Sequence, residues 1–191
     1  MGDISKTWHV LPLTPDRWAD LEALFGPRGA CGGCWCMTPR LTRAEYERNK
    51  GEGNRRALRA LVDAGTVPGI LGYVYDRPVA WCSLGPREDF SWLARSRLFR
   101  PVDDRPVWSI VCLFIDKYHR RQGLSARMLE AACAHAAARG ATCVEAYPVE
   151  PRGDDMPAVF AHHGLASAYL RAGFTEVARP SPTRPIMRRE V

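Results

Sequence analysis

Val107 to Ser125 reads VWSIVCLFIDKYHRRQGLS, and its two halves obey different rules. Val107 to Ile115 is almost wholly apolar, which predicts a central strand buried on both faces. Asp116 to Gly123 is polar and basic and ends on a glycine. From Leu124 to about Arg139, apolar Met128, Leu129, Ala132 and Ala136 recur at helical spacing, and Gly140 ends the run. The unit is therefore a buried strand, a basic turn and a helix.

The flanks extend this pattern. Upstream, Gly69–Tyr75 and Val79–Leu84 read as a β-hairpin turning at Asp76-Arg77-Pro78. Downstream, Ala141–Ala146 reads as a strand, Gly164 to Ala172 as a short helix, and Phe174–Val177 and Ile186–Arg189 as closing strands. The first third is mainly helical after a short strand at Val10–Leu13. Thr14-Pro15 starts a helix carrying Trp18, Leu21, Leu24 and Phe25, and Gly26-Pro27 stops it. Thr42 and Glu45 form a capping-box pattern that opens a polar helical stretch. A second helix follows Gly51 and Gly53 and runs to about Ala64, and another short helix is expected near Phe90 to Ala94. The expected fold class is α/β with a mixed sheet. No repeat or long linker divides the 191 residues, so one domain is expected over 1–191, with 1–66 a helical part and 67–191 the strand-rich core.

The turn is where chemistry concentrates. A helix start presents unpaired N–H groups and partial positive charge, glycine lets an anion approach the backbone, and Arg120 and Arg121 add full charge. A pyrophosphate suits such a place. The sequence has neither a Walker Gly-Lys-Ser/Thr run nor a Gly-x-Gly-x-x-Gly fingerprint. Taken alone, Arg-Arg before a helix is most simply an exposed basic turn.

Arg120-Arg121-Gln122-Gly123-Leu124-Ser125 resembles the acyl-CoA signature of the GNAT superfamily, Gln/Arg-x-x-Gly-x-Gly/Ala, with Ser125 in the last place. Tyr169-Leu170-Arg171-Ala172-Gly173-Phe174 resembles the family's Tyr-x-x-x-Gly-Phe ending, and the two motifs stand in the family's order. The resemblance covers about Gly69 to Val191. It implies a mostly antiparallel central sheet flanked by helices, with a V-shaped split between the central strands. It also implies acetyl-CoA as cosubstrate: pantetheine pairs with backbone around Leu113, Phe114 and Ile115, and Arg120, Arg121, Gln122, Gly123, Leu124 and Ser125 hold the pyrophosphate. The amine attacks the thioester directly in a ternary complex. Tyr169 matches the family's general acid; the alternative is an aromatic core residue. His162 stands where the family often has a CoA-contacting Asn. The loop after the first helix walls the acceptor pocket in this fold, which makes Trp35, Cys36 and Met37 candidate substrate contacts.

Glu145 is the candidate base, a carboxylate amid apolar neighbours in the strand expected beside the CoA strand. Burial raises a carboxyl pKa, and an unpaired buried carboxylate is costly. A structural ion pair or an outward-facing Glu explains it as well. His162 and His163 are further candidates. Glu150, Asp154 and Asp155 make the loop from Tyr147 to Pro157 acidic, which suits a cationic amine or simply solvent.

Cys31-Gly32-Gly33-Cys34 has zinc-ligand spacing but lacks a second pair, so no metal is expected. Seven cysteines, an odd number, fit a reducing cytoplasm. The net charge of +6 comes mostly from dispersed arginines, which disfavours a nucleic-acid patch, and no apolar run is long enough to span a bilayer. The functional expectation is N-acetylation of a primary amine on a small molecule, in a monomer or homodimer. The alternatives are acetylation of a protein lysine or N-terminus and a non-catalytic CoA sensor.

Overall fold

The computed structural model describes residues 7–151 and 162–191. Seven strands form one sheet in the order β1-β2-β3-β4-β5-β7-β6. They are β1 (Trp8–Pro12), β2 (Gly69–Val74), β3 (Arg77–Pro86), β4 (Trp108–Ile115), β5 (Cys143–Ala146), β6 (Thr175–Ser181) and β7 (Arg184–Glu190). Every neighbouring pair is antiparallel except β4 and β5. The helices are α1 (Trp18–Phe25), α2 (Arg43–Asn49), α3 (Glu52–Asp63), α4 (Ser91–Arg95), α5 (Leu124–Ala137) and α6 (Ala166–Arg171).

Alternation along the strands divides the core between the two faces of the sheet. Ile70, Cys82, Leu113 and Ile115 pack with Met128, Leu129, Ala132 and Ala136 of α5, and with Tyr169 of α6. On the other face Leu71, Tyr73 and Trp81 pack with Trp18, Leu21 and Phe25 of α1, Leu58 and Val62 of α3, and the loop residues Trp35, Cys36 and Met37. The expected capping box at Thr42 is formed, the Thr42 side chain accepting from the Glu45 N–H while Glu45 accepts from the Thr42 N–H.

Three boundaries differ from the sequence expectation. The β2–β3 turn sits at Tyr75-Asp76, with Tyr75 at φ 52°, so Arg77 and Pro78 already belong to β3. Pro15–Arg17 forms a tight 3-10 turn before α1 begins. Closing strands β6 and β7 are longer than the apolar residues suggested, because the hairpin continues through the exposed face of β6 to the turn before Arg184.

Candidate active site

The central feature is a strand whose partner leaves it. β4 pairs with β5 at only three positions, Trp108↔Val144, Ser109↔Glu145 and Ile110↔Ala146. Beyond Ile110, β4 continues for five residues to Ile115 without β5. The Asp116 N–H bonds the Val79 carbonyl at 2.8 Å, which fixes the alternation on the β3 edge. The backbones of Leu113 and Ile115 therefore face away from β3 into the split, while that of Phe114 faces β3. Of the three residues expected to pair with pantetheine, Phe114 is turned the wrong way by this alternation.

The split is bridged at its inner end. Leu113 N–H donates to the His162 carbonyl at 2.7 Å, Val149 N–H donates to the Gly164 carbonyl at 2.9 Å, and Ala166 N–H donates to the Val149 carbonyl at 2.9 Å. Residues 162–165 thus lie between β4 and the chain beyond β5. Gly164 has φ +80°, and a Cβ there would lie 2.9 Å from the Tyr169 ring and 3.1 Å from Leu113. Only glycine fits so close an approach with that backbone.

Tyr169 underlies this segment. It is fully buried, its ring meets Phe174 edge-on at 5.1 Å, and its hydroxyl donates to the His163 carbonyl at 2.8 Å. Burial, with a smaller effect from neighbouring cysteines, pushes its pKa well above the ordinary tyrosine value, so the phenol remains a proton donor. Its position is beside the split; its hydroxyl also has a structural partner.

At the outer end of β4 the basic turn closes onto α5. Arg120 Nε donates to the Ile115 carbonyl at 3.1 Å, and Gln122 Nε2 donates to the Tyr118 carbonyl at 3.2 Å. Arg121 has φ 60°, and Gly123, at φ 77°, is the left-handed N-cap of α5 with open space around its α-carbon. Among the described residues, the N–H groups of Gln122, Gly123, Leu124 and Ser125 donate to no backbone carbonyl. Four free donors at the start of a 14-residue helix form an anion-ready cradle.

Glu145 lies elsewhere in chemical terms. Its carboxylate is sealed from solvent and accepts from Arg87 Nη1 at 2.8 Å, Arg188 Nε at 2.8 Å and the Tyr147 hydroxyl at 2.6 Å. Arg188 reaches on to Asp103 at 2.6 Å, and Ser109 Oγ lies 2.9 Å from the Tyr147 hydroxyl. This is the structural ion pair that the sequence left open. Both oxygens are held by cations, and the Tyr147 hydroxyl takes up one of them as well, so the carboxylate is enclosed by its structural partners.

A cavity of about 540 Å³ opens beside the split, with Val111 and Cys112 of β4 in its wall. Trp92 and Phe99 come from around α4, Tyr46 from α2, and Cys31, Cys34 and Cys36 from the loop after α1. His162, His163 and Arg184 complete it. Cys36, expected to contact substrate, lines this cavity. Trp35 and Met37 do not; they are packed into the core, Trp35 against Trp18 and Phe25, because left-handed backbone at Trp35 and Cys36 turns the indole under α1. The three loop thiols point to different partners: Cys34 donates to the Gly29 carbonyl at 3.4 Å, Cys36 accepts from Trp81 Nε1 at 3.2 Å, and Cys31 is exposed. Hydrogen bonding from Cys112 above all, and from Trp81 and Ser83, holds the Cys36 thiol below its ordinary value against the effect of burial. Among the described residues no cluster of three or more His, Cys, Asp or Glu forms a metal site.

His163 is buried, stacked on Trp92 at 5.4 Å, and its Nδ1 has no hydrogen-bond partner among the described residues. Burial, then the charges of His162 and Arg184, hold its pKa well below the ordinary histidine value, so it is neutral at pH 7. The carboxylates of Asp154 and Asp155 fall outside the described residues, and Glu150 is ion-paired with Arg179. Sequence reasoning missed Trp92, Phe99 and Arg184 altogether, since no local pattern links them to the split.

A split central strand beside a free-donor helix start defines a class of acyl-transfer folds, and comparison with known proteins agrees. The sequence model of the acetyltransferase (GNAT) family matches residues 35–170, and the chain belongs to this family. No curated protein is similar enough in sequence to match. Among solved structures, an apo mutant of an agmatine N-acetyltransferase superimposes with TM-score 0.59 at 12% identity, over 97% of this chain and 100% of that one. The polyamine N-acetyltransferase of Drosophila melanogaster gives 0.58 at 12% identity, covering 96% and 100%. The PaiA N-acetyltransferase of Thermoplasma acidophilum, solved with coenzyme A, gives 0.53 at 10% identity, covering 96% and 99%. At these identities the likeness is one of fold.

Proposed function

We propose that the chain transfers the acetyl group of acetyl-CoA to the primary amine of a small molecule, by direct attack in a ternary complex and in a cytoplasmic setting. One observation carries this reading: a strand edge that β5 leaves, an anion-ready helix start and an open cavity of small-ligand size meet at the same end of β4. Leu113 and Ile115 offer the strand edge to pantetheine, and Arg120 through Ser125 offer the pyrophosphate its donors and charge. The cavity holds the amine against the thioester carbonyl.

The chemistry asks little more of the protein. The amine nitrogen attacks the carbonyl carbon, the C–S bond breaks, and the thiolate takes a proton from the Tyr169 hydroxyl. In the free protein that hydroxyl donates its one proton to the His163 carbonyl, so it must leave this bond to protonate the sulfur. His163, a residue of the cavity wall whose buried Nδ1 has no partner among the described residues, is the candidate to receive the amine proton in place of Glu145. The test is calorimetry of CoA binding followed by an acetyl-CoA consumption screen over small amines. Micromolar, salt-weakened CoA binding and turnover of at least one amine are expected; absence of CoA binding removes the reading.

A further inference from the structure

The cavity's charge does not match the agmatine and polyamine substrates named for its structural neighbours. Among the described residues no Asp or Glu lines it, and its wall carries one permanent charge, the cation of Arg184. Among the described residues the guanidinium of Arg184 has no hydrogen-bond or ion-pair partner, and its Nη1 is sealed from solvent. Nothing opposes the lowering of its pKa by burial, in contrast to Arg188 four residues on, which is paired with both Glu145 and Asp103. An unpaired, partly buried guanidinium is costly, and an anion relieves it with two parallel hydrogen bonds.

Its place on the sheet is equally specific. Glu145↔Arg188 and Ala146↔Met187 continue to the Glu150 N–H bonded to the Thr183 carbonyl at 3.0 Å, which sets Arg184 opposite Val149. Val149 N–H in turn bonds the Gly164 carbonyl, in the same short segment whose His162 carbonyl accepts from Leu113 N–H. Arg184 thus sits level with the split, on the far side of residues 162–165 from β4.

Resting on the acetyltransferase reading above, we propose that Arg184 is a specificity residue that binds a carboxylate on the acceptor, so that the substrate is an amino acid with an apolar or aromatic body rather than a polyamine. Trp92, Phe99 and Tyr46 supply the apolar walls for that body. The anion has a second effect, because Arg184's charge is one of those that hold His163 low. Neutralising it raises the proton affinity of His163 when the correct acceptor is bound.

Matched acceptors that differ by one carboxylate test this directly: phenylalanine against 2-phenylethylamine, tyrosine against tyramine, and arginine against agmatine. The carboxylate-bearing member of the aromatic pairs is expected to have the higher kcat/KM by about tenfold or more. In Arg184→Met the preference should collapse through KM, with CoA affinity and melting temperature retained, since the guanidinium bonds nothing in the fold. Equal or better use of the decarboxylated amines by wild type, or an unchanged preference in Arg184→Met, overturns the proposal. So does a large loss of stability in that variant, which would make Arg184 structural. A binding arm separates this from the parent reading: CoA-loaded protein is titrated with N-acetylphenylalanine and with N-acetyl-2-phenylethylamine. Tighter binding of the first, lost in Arg184→Met, supports the subsite even without turnover. Equal binding sinks it even where amines are acetylated.

Discussion

The two halves of β4 have the same apolar sequence character and opposite fates. Trp108–Ile110 is closed against β5, and every charge around it is answered: Glu145 by Arg87 and Arg188, and Arg188 also by Asp103. Leu113–Ile115 is left by β5 on the same edge, and around it, among the described residues, lie unanswered groups: free N–H donors at α5, His163 Nδ1 and the Arg184 guanidinium. A buried charge that is fully paired belongs to the fold, whereas polar groups left unpaired beside a cavity mark where a ligand completes the structure.

The open end should fail first and furthest. Gly123→Glu places a carboxylate at the cradle and forces a side chain onto φ 77°, and it should abolish measurable CoA binding by calorimetry while the sheet persists by circular dichroism. Unchanged affinity in the folded variant would move the pyrophosphate elsewhere. Tyr169→Phe keeps the ring and removes the proton donor, so turnover should fall about 100-fold with CoA affinity near normal. Near-wild-type turnover would reduce Tyr169 to its bond with His163 and restore the core reading.

At the closed end the expected loss is stability. Glu145→Gln leaves Arg87 and Arg188 without their shared anion, and breaking such a buried pair typically costs about 3–5 kcal/mol, readable by urea unfolding. The CoA affinity of the folded protein should survive. A stable Glu145→Gln protein without turnover would reverse the assignment and make Glu145 the base after all.

The smallest effect contrasts one histidine at each end. His135, against Trp108, is pushed down to about 4 by burial first and by Arg139 second, and His163 is lowered by burial. Each group binds protons more readily unfolded than folded, so its contribution is intact above pH 6.5 and is lost as pH falls below it, for His135 from there towards about 4. Melting temperature should decline across that window, before most carboxylates titrate. His135→Asn should flatten the decline without altering acceptor use; His163→Asn should flatten it and also slow turnover.

The fold was readable because its decisive signals are local. The apolar run ending at Ile115, the glycine before Leu124 and the Tyr169-to-Phe174 ending each occupy consecutive residues, and their order limits the topology. The expected cofactor end rests on signals that are local in the same way. The acceptor end was not: Cys36, Tyr46, Trp92, Cys112, His163 and Arg184 come from segments far apart in sequence, and no spacing joins them. Cys36 was a candidate because its loop follows α1, and it lines the cavity; its neighbours Trp35 and Met37, expected with it, are packed into the core, since left-handed backbone decides which way each side chain points. Phe114 was misassigned through simple strand alternation, which becomes usable only once the β3 register is known. Glu145 looked like a lone carboxylate because its partners lie 58 and 43 residues away.

Residues 162–165 carry one more consequence. A strand edge left bare inside a sheet invites pairing with a foreign chain, and this protein covers most of that risk with its own backbone, using the Leu113 N–H as the anchor. A self-supplied cover is also a competitor. Any ligand that needs the Leu113 donor must first displace a bond the chain already makes, so its apparent affinity is lowered by the fraction of molecules in which the cover is closed. The same cover presents His163 to the cavity and its carbonyl to Tyr169, so displacing it would be felt at both binding sites at once. On the proposed reading, cosubstrate and acceptor would thereby be linked thermodynamically through four residues, with no need for motion elsewhere in the sheet.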